Sequence, residues 1–464
     1  MTTISNPDTL SLPGLHAALR DGHLSVRELV QNSVAGYDAT ENRDQAYFAW
    51  SGDQGLALAG HVDGLLAQGR DTGPLMGLPV SVKELYGVPG FRTYAGSPAP
   101  MPERWEAPGP LVQRLLGQLA VIMGKTHTVE FAFGGLGVNA HWGTPRNPWD
   151  RQAHRVPGGS SSGAGVSLLQ GSARLALGTD TAGSVRVPAA MTGVTGLKTT
   201  RGLFSIDGIV PLSPSLDTPG LLARDMADLA FGFHALTSGL ASSEQPPRPD
   251  PRSIRLGVPR TVFWEDCSPG VVEAVEAAVT TLEHAGVSLV PLELPHAAEA
   301  FDLLRAGGLA APELAAFLEQ ESPAHLQTLD PVVVARIRAA EALPATAYIQ
   351  RQQRLEAMSR DAARALADVD ALITPTVAVT PPRLDEVANT DDYARHNVLA
   401  LRNTVVANFM GLCGLTMPVG VDAAGMPVGL QLLAGPWQEA HLLRLGASLE
   451  GVLGRGADLP GYPL

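Results

Sequence analysis

The chain has 464 residues, of which 45% are hydrophobic and 17% are charged, a composition typical of a folded globular protein. Its formal net charge of -13 argues against a nucleic-acid partner, because phosphate binding requires a dense basic surface. No uninterrupted apolar run approaches about 18 residues, which excludes a membrane-spanning helix. Cys267 and Cys413 lie far apart and outside any CxxC spacing, so we expect reduced thiols and neither a disulfide nor a zinc site.

The first part of the chain predicts helices. Residues 1–14 lack the basic and apolar segments of a secretory signal peptide, which favours a cytoplasmic protein. Over residues 10–66 the apolar spacing is helical. Ser25, with Glu28 three residues later, has the pattern of a capping box and predicts the start of a helix.

Short apolar segments and helical segments then alternate along the chain. The valine-rich GLPVSV at residues 77–82 ends at Lys83 and predicts a buried strand. The next predicted elements are a helix at 110–119, a strand at 120–126, a compact helix within 163–171 and a strand that begins at 173. Such alternation is typical of a parallel or mixed sheet covered by helices.

The remaining segments continue this pattern. Prolines interleaved with charges at residues 242–253 predict a surface loop. Residues 297–369 are mostly helical and predict a helical subregion near the substrate pocket, since segments that cover a rigid core commonly set specificity. Further strands are predicted at 371–379, 414–421 and 428–435. We therefore predict one α/β domain over residues 1–464, with a large mixed β-sheet flanked by helices on both faces.

The glycine-rich PGGSSSGAG at residues 157–165 raises the question of which serine, if any, is reactive. A phosphate-binding loop is disfavoured, because GKT at 124–126 has Leu119 where the pattern GxxxxGK[ST] requires glycine. The pentapeptide GSSSG matches GxSxG and would make Ser161 the nucleophile of an α/β-hydrolase elbow. The segment before it, DRQAHRVP, is polar and ends in proline, which makes a poor central strand and weakens this interpretation.

A different serine follows a predicted strand. Ser184 closes the segment GTDTAGS, in which four successive backbone amides, at residues 181–184, can point into one concavity. Such a nest of amides stabilises the oxyanion that develops during acyl transfer. Ser184 could then attack a carbonyl carbon, but the sequence beside it offers no base.

Several long motifs make a specific resemblance. The segments GLPVSVKELYGVPG, RNPWD followed by PGGSSSGAG, and GTDTAGSVRVPAAMTGVTGLKTTRG occur in this order. SLDTPGLLARDMADLA and GLTMPVGVDAAGMPVGLQLL follow them. Together they resemble the amidase signature family of serine amidohydrolases over most of the chain, least over residues 285–385. The resemblance implies the amidase signature fold.

The resemblance also implies a Ser-cisSer-Lys triad. In this chain Ser184 would be the nucleophile, Ser160 the bridging serine after a cis peptide bond, and Lys83 the base. Ser161 would support the site by hydrogen bonding, and Gly159, before the cis bond, offers it the least steric hindrance. The implied oxyanion hole consists of the backbone amides of Thr181, Ala182, Gly183 and Ser184.

Lys83 can serve as a base only in its neutral form. An ordinary lysine has a pKa of roughly 10.4, and burial can lower that pKa by about 3–5 units. Because Lys83 follows an apolar strand, we expect desolvation to lower its pKa. It can then take a proton from Ser160 while Ser160 takes one from Ser184.

Several other residues near the nest depart from the family motifs or have expected roles outside the triad. Ala182 stands where many family members have glycine, and Ser162 replaces the next glycine of a GGSSGG loop. We expect Asp180 to orient the turn by accepting backbone amides, and Asp217 to be a turn residue. For Arg186 two roles stay open: a bidentate contact with a substrate carboxylate, and a structural ion pair under the nest.

We predict an amidohydrolase that cleaves a small carboxylic amide to an acid and ammonia or an amine, through an acyl-enzyme on Ser184. No cofactor or metal is implied, because His127 and Glu130 form only an isolated HxxE pair. The alternatives are the glutaminase subunit of a tRNA-dependent amidotransferase, an allophanate-hydrolase-like enzyme and a catalytically silent binding protein. The expected partner is a small-molecule amide, without nucleic acid or membrane, and the sequence is compatible with a homodimer.

Overall fold

The computed structural model describes residues 6–237 and 248–463. The predicted surface loop at 242–253 therefore lies partly outside the described residues, and within its described part Pro251–Ser253 is a short 3-10 helix. None of the helices in the two described ranges combines the length and the apolar character that a bilayer crossing requires.

Fourteen α-helices lie in the described part of the chain. The first seven are α1 Leu12–Arg20, α2 Val26–Asp44, α3 Gly52–Ala67, α4 Pro110–Gly117, α5 Ala164–Leu169, α6 Arg186–Thr192 and α7 Met226–Thr237. The other seven are α8 Val271–His284, α9 Ala297–Arg305, α10 Ala310–Glu321, α11 Pro331–Glu341, α12 Ala345–Ala365, α13 Thr390–Phe409 and α14 Glu439–Leu453. The capping box predicted for α2 is present, since the Glu28 amide donates to Ser25 Oγ and the Ser25 amide donates to Glu28 Oε2.

The strands form one sheet of eleven within the described residues. They are β1 Tyr47–Trp50, β2 Pro79–Lys83, β3 Val121–Thr126, β4 Leu175–Asp180, β5 Thr195–Lys198, β6 Thr218–Ala223, β7 Arg255–Val258, β8 Ser288–Pro291, β9 Ala371–Pro375, β10 Cys413–Val421 and β11 Pro427–Ala434. Their order is β1-β3-β2-β4-β6-β5-β10-β11-β9-β7-β8. The pairs β3/β2, β2/β4, β9/β7 and β7/β8 are parallel and the others antiparallel, so the predicted mixed sheet is confirmed.

The first region differs from the prediction in one element. The helical spacing over residues 10–66 is interrupted by β1, whose sequence YFAW is rich in aromatic residues that favour strands. β1 pairs antiparallel with β3, with Tyr47 opposite Thr126. Four residues between two helices are too few to show the alternation of apolar and polar side chains that identifies a strand in a sequence. The pairing of β1 with β3 decides its conformation.

Side-chain alternation in the central strands explains why helices cover both faces of the sheet. In β4, Leu175 and Leu177 belong to the main core with helices such as α7, whereas Ala176 packs with α5 and α6. In β6, Leu221 and Leu222 divide between the same two clusters. Because successive residues of a strand face opposite sides, each strand buries apolar groups against two helical layers. The α/β architecture with helices on both faces is therefore confirmed.

Candidate active site

The ends of two neighbouring strands hold the predicted catalytic groups. β2 ends at Lys83, and β4 ends at Asp180, directly before the turn that carries Ser184. The two strands are parallel, so their carboxyl ends lie at the same edge of the sheet. Ser160 lies in the loop before α5, which packs on β4. The fold thus brings Lys83, Ser160 and the Ser184 turn together from three separate segments.

Lys83 is fully buried, and its side-chain nitrogen has two hydroxyl partners. Nζ lies 2.7 Å from Ser160 Oγ and 2.7 Å from Thr179 Oγ1. Burial lowers the pKa of Lys83 to about 7, although the charges of Asp217 and Asp180 act in the opposite direction. A substantial fraction of Lys83 is therefore neutral at neutral pH, as a general base requires.

Glu84, the carboxylate next to Lys83 in sequence, makes its contacts elsewhere. It accepts hydrogen bonds from the amides of Tyr94 at 2.7 Å and Gly96 at 2.8 Å. It also lies 3.3 Å from Nζ of Lys125, the lysine of the GKT segment. Lys125 is buried in β3 and already paired, so it does not stand in a phosphate-binding loop.

The serine loop is tied to β4 and to the Ser184 turn. The Gly159–Ser160 peptide bond is cis, as the resemblance implies. The Ser161 amide donates to the Ser184 carbonyl at 3.3 Å. The Ser161 hydroxyl lies 3.4 Å from both the backbone nitrogen and the carbonyl oxygen of Thr179, and the residue is fully buried. A hydroxyl that faces strand backbone in this way is not placed as the nucleophile of an α/β-hydrolase elbow.

Asp180 organises the turn as an acceptor. Its Oδ1 accepts from the Gly183 amide at 2.8 Å, and its Oδ2 accepts from the Val185 amide at 3.2 Å. Despite complete burial, the Arg186 guanidinium and other donors lower the pKa of Asp180 to about 2. Asp180 is therefore anionic at neutral pH and holds the turn rather than transferring protons.

The amides of the turn differ from the prediction at one position. The N–H groups of Thr181, Ala182 and Ser184 donate to no described residue, and all three residues line a cavity. The Gly183 amide is already donated to Asp180, so it is not available to a substrate oxygen. Gly183 has φ 136° and a Cβ at its position would clash with the Thr404 hydroxyl, so this residue instead serves the shape of the turn. Of the four amides predicted to form the oxyanion hole, three are thus without a partner among the described residues.

Arg186 takes the second of the two roles that the sequence left open. It is fully buried and pairs with Asp180, with Nη2 3.1 Å from Oδ1. The same Nη2 also donates to Asn408 Oδ1 at 2.7 Å, and Nη1 donates to Gln431 Oε1 at 3.2 Å. Because these partners occupy the guanidinium, the structure favours the ion pair under the nest over a contact with a substrate carboxylate.

The two departures from the usual motifs have different structural contexts. Ala182 keeps a negative φ, so its Cβ causes no backbone conflict, and its carbonyl accepts from Thr404 Oγ1 at 2.7 Å. Ser162 is fully buried, and its hydroxyl has no hydrogen-bond partner among the described residues. The turn therefore accommodates alanine in place of glycine without rearrangement.

A narrow cavity of about 40 Å³ borders the Ser184 turn. Its walls include Phe133, Leu304 of α9 and Arg336 of α11, so helices from the segment at 297–369 reach the site. The Ser184 hydroxyl makes no hydrogen bond with a described residue and is open to a reacting group. Catalytic hydrogen bonds are often looser without substrate and shorten in the complex.

Two further residues contact the site in ways that the sequence did not indicate. Thr179 supplies a hydroxyl to Lys83, and this contact depends on β2 and β4 being neighbours. Asp217, expected only as a turn residue, accepts from the amides of Leu212 at 2.9 Å and Ser213 at 3.0 Å, and from Thr181 Oγ1 at 2.5 Å. Burial raises the pKa of Asp217 to about 6. The one feature of the sequence that could have identified Thr179 as a site residue is its position directly before Asp180.

Comparisons with known proteins agree with this geometry. The Amidase family model matches residues 28–443. The 2-amino-5-chloromuconic acid deaminase of Comamonas testosteroni is 53% identical over 461 residues, which cover 99% of this chain and 99% of that protein. A glutamyl-tRNA(Gln) amidotransferase subunit from Chloroflexus aurantiacus is 34% identical over 94% of this chain and 95% of that protein. A crystal structure of an amidase has a TM-score of 0.85 at 28% identity, covering 96% of this chain and 100% of that one.

These similarities decide among the alternatives. The match to a deaminase is much closer than the match to the amidotransferase subunit, which does not favour a glutaminase subunit. The matches to the deaminase and to the amidase structure extend over nearly the whole of each chain, which does not favour a silent binding protein. The chain therefore belongs to the amidase family, and it is a hydrolase that acts on carbon–nitrogen bonds.

Proposed function

We propose that the protein hydrolyses a carbon–nitrogen bond of a small substrate, with Ser184 as the nucleophile, Ser160 as the proton relay and Lys83 as the base. The observation that carries this proposal is the buried Lys83 with Nζ 2.7 Å from Ser160 Oγ, on a loop hydrogen-bonded to the Ser184 turn. Two other buried lysines have different partners: Lys125 pairs with Glu84, and Lys198 donates to two backbone carbonyls, whereas both described partners of Lys83 are hydroxyls that can exchange protons with it.

The first half-reaction forms an acyl-enzyme. Ser184 Oγ attacks the carbonyl carbon of the amide while its proton passes to Ser160 Oγ, and the Ser160 proton passes to neutral Lys83. The carbonyl oxygen becomes an oxyanion and accepts hydrogen bonds from the free amides of the Ser184 turn. When the tetrahedral adduct collapses, the C–N bond breaks and the leaving nitrogen takes a proton from Ser160, which Lys83 replaces. Ammonia or an amine departs, and Lys83 is neutral again.

The second half-reaction returns the free enzyme. Water attacks the ester carbon and gives its proton to the relay of Ser160 and Lys83 in the same way. The ester bond to Ser184 breaks, Ser184 Oγ regains a proton, and the carboxylic acid leaves. The cycle consumes one amide and one water, and it leaves the protonation state of Lys83 unchanged.

A second candidate reaction follows from the 53% identity to the deaminase. In the imine tautomer of a 2-aminomuconic acid, the carbon that bears nitrogen is an electrophile like an amide carbonyl carbon. Ser184 Oγ would add to that carbon and the C–N bond would break to release ammonia; water would then add to the same carbon, and the bond to Ser184 Oγ would break to leave C=O and a free serine hydroxyl. The same nucleophile, relay and base would serve both reactions, which differ in the substrate and in the covalent intermediate, since only the amide gives an acyl-enzyme.

Several sequence predictions stay predictions. They are the single domain over residues 1–464, the helical subregion at 297–369 near the pocket, the homodimer, the cytoplasmic location and the lack of a nucleic-acid partner. The helices that line the cavity support the second of these.

The proposal is tested by ammonia release from muconic acid monoamide and from 2-aminomuconic acid. Ser184→Ala should lose at least about 1000-fold in kcat/KM on whichever compound is turned over. Ser162→Ala is the matched control, because it removes a buried hydroxyl from the neighbouring loop without breaking a described hydrogen bond, and it should stay within about twofold. Full activity of Ser184→Ala would refute the proposed nucleophile. Turnover of the monoamide favours the amidase reaction, and turnover of the amino acid favours deamination.

A further inference from the structure

Arg336, in α11, is a half-buried cation without an acidic partner among the described residues. Its Cζ lies 3.5 Å from the centroid of the Phe133 ring, and its Nη1 donates to the Phe133 carbonyl at 2.7 Å. No described carboxylate forms an ion pair with it. Burial lowers the pKa of Arg336 to about 10, so the guanidinium remains charged at neutral pH.

Three arginines are buried among the described residues; two of them pair with a carboxylate, whereas the third, Arg402, donates to the Asn403 side chain and the Phe263 carbonyl. Arg186 pairs with Asp180 at 3.1 Å, and Arg174 pairs with Asp8 at 2.5 Å. A partly buried charge without a carboxylate partner is costly, because the protein replaces only part of its hydration. Where such a charge also faces a cavity, an anionic ligand can supply the missing partner.

Arg336 lies where two cavities meet. It lines the narrow cavity that borders Ser184, and it also lines a neighbouring cavity of about 560 Å³. Phe133, Leu304 and Gly307 line both cavities as well, so the two spaces adjoin along this wall. A molecule with its reacting carbon at Ser184 therefore extends toward Arg336.

The surroundings of Arg336 favour an anion. Among the described residues that line the larger cavity, three are arginines and none is an aspartate or glutamate. Tyr393 and Asn397 line the same cavity, and the Tyr393 hydroxyl makes no hydrogen bond with a described residue. Asn397 Oδ1 accepts from the Gly135 amide at 2.6 Å, which leaves its NH₂ group as a donor. The cavity thus offers donors and positive charge.

The walls of the narrow cavity, in contrast, favour an apolar part of the ligand. Arg336 is the one charged residue among its described lining residues, and the side chains around it include Leu212, Leu216 and Leu401. An apolar carbon skeleton fits such walls, while a charged end fits the guanidinium. The combination selects a molecule with a short carbon chain and a terminal carboxylate.

We propose that Arg336 binds a carboxylate of the substrate, so that the substrate is a small organic acid whose scissile C–N bond lies at the other end of the molecule. The proposal rests on the proposed function in one respect, because it places the reacting carbon at Ser184. It also agrees with the name of the deaminase relative, which specifies an amino-substituted muconic acid. Planar, bidentate contact with a carboxylate is the recognition for which arginine is best suited.

The test measures the binding of cis,cis-muconate and of its dimethyl ester by calorimetry in a Ser184→Ala background, which excludes turnover. Muconate should bind at least about 30-fold more tightly than the ester, and Arg336→Met should weaken muconate binding by at least about 30-fold. Arg336→Lys keeps the charge without the planar guanidinium, and its affinity for muconate should lie between that of the parent and that of Arg336→Met. Arg338→Met is the matched control: it removes a charge from the same helix at an exposed side chain that lines neither cavity, and it should stay within about twofold.

The proposal is overturned if Arg336→Met binds muconate within about threefold of the parent, or if the ester binds as tightly as muconate. If Arg336→Met does not fold, judged by its thermal transition, Arg336→Lys decides the matter by the same criterion. The outcome is separate from that of the proposed function. Binding is measured without a nucleophile, whereas the role of Ser184 is judged by ammonia release in a chain with intact Arg336.

Discussion

At the scale of single residues, the chemistry of the site depends on how burial and neighbouring charges act on Lys83. An exposed lysine is protonated at neutral pH and cannot accept a proton. Complete burial removes the water that stabilises the ammonium form, and the nearest carboxylate in sequence, Glu84, is occupied by Lys125. The anions that do act on Lys83, Asp217 and Asp180, offset the effect of burial only in part.

The pH dependence of turnover follows from this environment. Neutral Lys83 is the active form, and its pKa is about 7. The value of kcat/KM should therefore fall about tenfold per pH unit below that pKa and level off above it. Lys83→Arg should abolish this dependence together with most of the activity, since arginine stays protonated throughout. A profile that is flat between about pH 6 and pH 8 for the wild-type protein would contradict Lys83 as the base.

At this scale a motif indicates which residues meet at the site, whereas the direction in which each group points depends on the folded chain. Lys83, Ser160 and the Ser184 turn were brought together by the fold, as the resemblance implies. The Gly183 amide was assigned to the oxyanion hole, but its direction is set by Asp180, which no sequence pattern reveals. The role of Arg186 depended on whether a carboxylate lay within reach in three dimensions.

At the scale of elements, the serine loop is held by close backbone packing. The position of a Cβ on Gly159 lies 2.6 Å from the Gly137 nitrogen and 2.8 Å from the Gly137 Cα. Backbone atoms cannot move aside as a flexible side chain can. The loop that carries Ser160 therefore depends on glycine at this position for its approach to the neighbouring segment.

Replacement of this glycine should displace the loop. Gly159→Ala is expected to lower kcat by at least about 100-fold, because a shift of about 1 Å in a positioned catalytic group has effects of this size. Gly64→Ala, in α3, is the matched control, since nothing lies within 4 Å of its Cβ position. It should leave kcat unchanged and raise the free energy of unfolding by about 0.5–1 kcal/mol. Steady-state kinetics and urea unfolding measure both effects, and normal kcat in Gly159→Ala would contradict the packing argument.

Helices were easier to predict than the pairing of strands. The capping box at Ser25 lies within four residues, so local sequence specifies the start of α2. The short strands β1, β5 and β6 take their conformation from partners that are distant in sequence. For the same reason the contact between Thr179 and Lys83 could not be predicted, since it requires β2 beside β4.

At the scale of the whole molecule, alternating segments and the family motifs predicted the α/β fold, but the strand order lay beyond the sequence. The sheet passes from β4 through β6 and β5 to β10, which brings segments that are distant in sequence to one site. Arg336 shows the consequence. Nothing in its local sequence marks it as a substrate-binding residue, and only the folded chain places it on the wall of the cavity beside Ser184.

The central claim is that Ser184 is the nucleophile. The most direct measurement is to treat the purified protein with a fluorophosphonate and to map the modified serine by peptide mass spectrometry. A single label on Ser184 is expected, and Lys83→Ala should slow labelling by at least about 100-fold because the relay then has no base. A label on Ser161 instead would contradict the account and point to a different nucleophile.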